Sequence, residues 1–155
     1  MSTYHFWQKW LFVCGIVMFV FGVLLALLYG TPVLDWLRIG INGAFWPGEA
    51  KMPPSVQPYQ FWLIGLLGAA MAGWGTTISF IAFFPFQKKE KWAWFCLLSG
   101  VLAWFVIDES LSIYFHVFYN AIFNLGFLSM VLLPILFTAH ELKIFDKISK
   151  KNQNV

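Results

Sequence analysis

Charge is what this sequence has least of. Only 11% of its residues are Asp, Glu, Lys or Arg, against about 25% in an average soluble domain. With 60% of 155 residues hydrophobic, a water-soluble fold would have no means of covering its apolar surface. Cysteine is scarce too. Cys14 and Cys96 stand alone with no CxxC pair, which argues against a disulfide framework, a zinc ribbon and CxxC redox chemistry. His140-Glu141 is not followed by the second histidine of an HExxH helix, so no metal site is read there. The net charge of +3 comes from lysines in short segments between apolar runs. That is not the basic patch a nucleic acid would need, and no nucleic-acid partner is expected.

What the chain has in abundance is apolar length. A helix needs about 20 apolar residues to cross the ~30 Å hydrocarbon core of a bilayer. Four segments qualify, roughly 9–29, 60–84, 92–115 and 119–140. The first is too long for the core of a secretory signal, and no small-x-small cleavage site follows Tyr29, so it is read as a retained span. The last two form one apolar stretch from Trp92 to Leu142, too long for a single crossing. Backbone left unpaired in lipid is prohibitively costly, so the stretch must fold back, and the turn is placed near His116–Tyr119. The expected fold is therefore an all-α integral membrane bundle of four transmembrane helices, in a single domain covering 1–155.

Lysine distribution sets the expected orientation. Lys9, the 85–91 linker and the tail 143–155 hold eight of the ten basic residues, and all three fall on one side of a four-span layout. By the positive-inside rule both termini are cytoplasmic, as in a bacterial inner-membrane protein. The opposite side holds only Arg38 and Lys51. On the second span, Gly65, Ala69 and Gly73 recur every four residues, Thr77 extends the row, and Gly68 and Ala72 widen it. Small residues so spaced let helix backbones approach closely, within the bundle or against a second copy of the chain.

The outer loop, 30–58, carries its own helical pattern. Thr31-Pro32 reads as a hydroxyl N-cap with proline at the first helical position. Val33, Trp36, Leu37, Gly40, Ile41, Ala44 and Phe45 form a stripe, with Asp35, Arg38 and Asn42 opposite. This predicts a short amphipathic helix over about 32–45 in the outer interface, ended by Pro47-Gly48 and followed by extended coil through Pro53, Pro54 and Pro58. It could be a connector or a lid.

The polar residues inside the membrane are concentrated at one end. Asp108, Ser112, His116, Asn120 and Asn124 recur every four residues, with Glu109 beside the first. About a turn near His116, Ser112 comes level with Asn120, and Asp108 with Asn124. At about 1.5 Å per residue, Asp108 lies ~24 Å above Trp92, within the outer third of the core. Polar groups in lipid need partners, and these can serve one another. Arg38 is the one nearby cation able to neutralise a carboxylate. An acid within the membrane is a functional-site candidate by default.

Several functions do not fit. Between Trp92 and Asp108 the third span has one polar side chain, Ser99, so no polar line links the outer cluster to the cytoplasm as a channel or proton pump requires. His116 and His140 sit at opposite ends, about 30 Å apart, and cannot share a haem. No cofactor is expected. Two readings remain. The first is a non-enzymatic accessory, assembly or lipid-binding module, with membrane lipid, a second copy or a larger membrane complex as partner. The second is a membrane enzyme or receptor for a lipid-like small molecule. There Asp108 or Glu109 acts as acid/base, assisted by His116, and Ser112, Asn120, Asn124 and Arg38 complete the pocket.

Overall fold

A computed structural model describes residues 3–46, 48 and 52–144 of the chain. It is all-helical. Helix α1 spans Thr3–Leu28, α2 spans Asp35–Phe45 behind a 3-10 turn at Pro32–Leu34, and α3 spans Gln57–Ile81. A π-helical segment, Ala82–Phe86, continues α3, and α4 (Lys91–Tyr114) and α5 (Phe118–Ala139) follow. Four of these helices, counting α3 with its π segment, are long and apolar enough to cross a membrane. The fifth, α2, is short. Lys51 and Pro47, and Lys147, Lys150 and Lys151 of the tail, lie outside the described residues.

The bundle is uneven. α1 packs most closely on α3, α5 bridges α1 and α4, and α3 barely meets α4. The α1–α3 seam runs on Gly68, Ala72, Gly75 and Ser79 of one helix against Gly15, Gly22 and Ala26 of the other. A Cβ added at Gly68 would lie 2.6 Å from the Gly22 carbonyl oxygen and 2.7 Å from the Ala26 nitrogen. The seam uses Gly68 and Ala72, the widening edge of the row read in the sequence, and not its main line. Ala69, Gly73 and Thr77 are exposed, Gly73 has nothing within 4 Å of its added Cβ, and Gly65 only skirts Ala26. The reason is rotation. Steps of four advance about 40° around a helix and drift off a partner, whereas alternating steps of four and three stay on it.

The end near the lysines is closed. Pro85 removes a backbone donor and the π turn splays the carbonyls that follow. Gln8 Nε2 donates to Ala82 O at 2.9 Å, and the Tyr4 hydroxyl donates to Phe86 O. Tyr4 and Phe86 are fully buried and their rings stack at 5.5 Å. Those contacts explain why α1 begins at Thr3 rather than near residue 9. On the other pair, Trp94 Nε1 donates to Ile135 O at 2.7 Å. Lys89 Nζ sits over the Tyr4 ring at 4.5 Å and pairs with Glu141 at 3.1 Å. Cys14 is buried against this core, while Cys96 is exposed.

At the opposite end the loop folds onto the bundle. Thr31 does not cap α2. Its hydroxyl donates back to Leu28 O at 2.7 Å, finishing α1 while Gly30 takes a left-handed φ of 90°. α2 lays Leu34 and Leu37 on Leu25 and Tyr29, and Gly40 rests against the Tyr119 ring. A Cβ at Gly40 would come within 2.8 Å of that ring, so a residue costly to a helix is what lets this one dock. Asn42, placed by periodicity on the polar face, is fully buried, and Gln60 Nε2 donates to its Oδ1 at 2.6 Å. Pro58 sits in the first turn of α3, where proline costs nothing, rather than in coil.

Candidate functional site

The α4–α5 turn sets the geometry of the polar cluster. His116 adopts φ 58°, its N–H donates to Ile113 O at 3.1 Å, and the Val117 N–H donates to Ser112 O at 2.8 Å. This pair of bonds is the Schellman arrangement that reverses a chain after a helix. The turn occupies Phe115–Val117, slightly earlier than the sequence placed it. His116 is the residue that takes the left-handed position, and its ring is exposed.

The reversal brings α4 and α5 into register. Asn124 Nδ2 donates to Asp108 Oδ2 at 2.8 Å, and Asn120 Nδ2 donates to Ser112 Oγ at 2.8 Å. A longer contact, 3.5 Å, joins Asn120 Nδ2 to Asp108 Oδ2. Ser112 Oγ donates to the Asp108 carbonyl at 2.8 Å. Ser112 and Asn124 are buried, while Asp108 and Asn120 are half-buried. The asparagine amides are therefore committed: each turns its NH2 toward an acceptor on α4.

Beside this network lies a cavity of about 520 Å³. It fills the gap left where α3 and α4 fail to meet. Its wall is apolar: Met18, Phe21 and Leu25 from α1, Ile64, Ala70 and Met71 from α3, and Phe123 and Phe127 from α5. Leu37 and Ile41 of α2 also line it. Trp74 and Trp104, with ring centroids 6.1 Å apart, close it toward the lysine end. Leu67, Ile107 and Leu111 line it and are also more than half exposed, so they frame a mouth between α3 and α4. One corner is polar, made by Asp108, Asn120 and Asn124.

The remaining candidates lie elsewhere. Glu109 points off the cavity, and its Oε2 is buried without a partner among the described residues. Arg38 is held by Asp35, with Nη2 and Nε at 2.8 and 3.0 Å from the same oxygen, and does not reach Asp108. His116 does not line the cavity. Asp108, Glu109 and His116 thus do not converge on one point, and no three metal-ligating side chains cluster among the described residues.

Sequence reasoning passed over the two tryptophans. Trp74 and Trp104 sit in the middle of their helices, away from both interfacial belts. A mid-span tryptophan departs from the belt pattern and could have marked the cavity. The chain was compared with protein-family models, curated proteins and solved structures, and no match was found in any of them.

Proposed function

We propose that this chain is a non-enzymatic membrane module that holds one lipid-like small molecule in the cavity between α3 and α4. In this reading the hairpin end faces the outer leaflet, and both chain ends lie on the cytoplasmic side of a bacterial inner membrane. The lysine distribution supports that orientation.

The observation that carries the reading is the cavity itself. Its volume falls in the range of roughly 300–1,000 Å³ common to small-molecule sites, and it has the usual build of an apolar wall with few convergent polar groups. Protein interiors are close-packed, and a half-open cavity of this size leaves its walls without dispersion contacts from the protein itself. A ligand restores them. The mouth framed by Leu67, Ile107 and Leu111 opens sideways, toward the hydrocarbon in which such a molecule dissolves.

Binding is favoured over catalysis because general acid–base work needs a second group within reach of the reacting atom. Among the described residues, Asp108 is the only ionisable side chain lining the cavity.

The test is cavity filling. Ala70→Phe places a ring in the void without touching the Asp108 network. Protein purified in nanodiscs from native membrane should yield, on extraction and mass spectrometry, an amphiphile near one equivalent. The Ala70→Phe variant should lose it while keeping its unfolding midpoint. Equal amounts from both proteins would reject the reading.

A further inference from the structure

The hydrogen-bond inventory of the polar corner says which headgroup fits, if the binding reading holds. Nearly all of its donors are spent. Asn120 turns its NH2 to Ser112 and Asp108, Asn124 turns its NH2 to Asp108, and the Ser112 hydroxyl is given to a backbone carbonyl. One N–H of Asn124 is left over, since its NH2 carries two donors and one bond is made; the rest of what remains is acceptors. Both amide donors converge on Asp108 Oδ2, and among the described residues no donor reaches Oδ1 or the two asparagine oxygens. Oδ1 is not among the sealed polar atoms, so it stays open to a visitor.

Charge points the same way. Among the described residues no Lys, Arg or His lines the cavity, and the one arginine of the chain is engaged by Asp35. A carboxylate in an apolar wall without a counter-charge is costly, and removing that cost is worth more than adding one neutral hydrogen bond. The wall near it is aromatic. Trp104 lies one helical turn from Asp108 on α4, Phe127 packs on Trp104 at 5.4 Å, and Phe123 lines the same side. Aromatic faces attract a cation and repel an anion.

We infer that the cavity takes an amphiphile with a protonated amine head, its N–H groups donating to Asp108 Oδ1 and the asparagine oxygens and its alkyl or aromatic body lying toward Trp74. Fatty acids and other anionic heads are excluded by the same corner.

Thermal unfolding in maltoside detergent tests this with dodecylamine, dodecanol and dodecanoate, which share one chain. The amine should raise the unfolding midpoint at concentrations roughly tenfold or more below the alcohol, as a charge-assisted bond predicts. The carboxylate should do nothing. Asp108→Asn should erase the advantage of the amine and leave the response to the alcohol. Ala70→Phe should abolish every response, and Leu67→Trp at the mouth is the second blocking variant should Ala70→Phe fail to fold. An alcohol or carboxylate acting as strongly as the amine overturns the headgroup assignment while the cavity reading stands. Responses that neither blocking variant reduces overturn the cavity reading itself. Lysophosphatidylethanolamine carries the same ammonium behind a phosphate. A matching response to it names bilayer lipid as the source, and a response to dodecylamine alone names a free amine; both uphold the ammonium head.

Discussion

The two halves of this bundle differ in how they fill space. Toward the lysines, Tyr4, Leu11, Ile78, Phe86, Trp94, Val131 and Ile135 form one continuous buried core. Two carbonyls of the π segment, those of Ala82 and Phe86, receive a side-chain donor there. Toward the hairpin the same helices leave a half-open cavity of about 520 Å³ with polar groups at its edge, whereas the pocket of about 530 Å³ in the lysine half is a shallower, almost wholly apolar groove on the α1–α3 face. The hairpin half carries the polar cluster, and packing separates the halves further. In lipid, helices associate through close contact and hydrogen bonds rather than escape from water. The packed half therefore holds the fold, and the hollow half is free to hold something else.

This contrast can be broken most severely at the α1–α3 seam. Gly68→Leu would drive a side chain into the Gly22 and Ala26 backbones, which cannot yield. The expected loss is about 3 kcal/mol or more, read as a collapsed unfolding midpoint in detergent. Next comes a pair that measures the two halves directly. Ile135→Ala removes a fully buried side chain and should cost about 2–5 kcal/mol, whereas Phe123→Ala, which only widens the void, should cost distinctly less. Equal losses would mean the halves are equally packed.

Smaller effects refine the picture. Tyr4→Phe removes one of the two donors to the Phe86 carbonyl and leaves the Lys89 N–H in place, an expected loss of about 0.5–1.5 kcal/mol in chemical denaturation. His116→Gly should raise stability by about 1 kcal/mol, because glycine takes the left-handed turn position without strain. A fall in stability would show that the imidazole does more than turn the chain. Gly73→Leu should leave the folded chain almost unchanged, since nothing lies near its added Cβ. A changed mass by light scattering in that variant would assign the exposed Ala69–Gly73–Thr77 row to self-association.

Much of this was legible from residue order, where the interactions are local. The four-residue recurrence of Asp108, Ser112, Asn120 and Asn124 about a single turn gave their pairing, because a helix hairpin has few registers once its turn is placed. Arg38 was less legible: Asp35, one turn away on the same helix, takes its charge before any distant acid can. Asn42 was misplaced for a different reason. Periodicity locates a residue on a face but does not say which neighbour waits there, and Gln60 waited.

The sequence by itself determined four helices long and apolar enough to cross a membrane, a short amphipathic helix and a polar end. Those follow from apolar length, charge position and helical period, all properties of contiguous segments. Only the tertiary structure decided that α1 takes α3 on a seven-residue glycine spacing and that α3 and α4 stand apart. Which ridges mesh depends on rotations of a few tens of degrees that accumulate along each helix, and no contiguous segment carries that information. From that one choice of partners comes the cavity, and with it the open oxygen of Asp108.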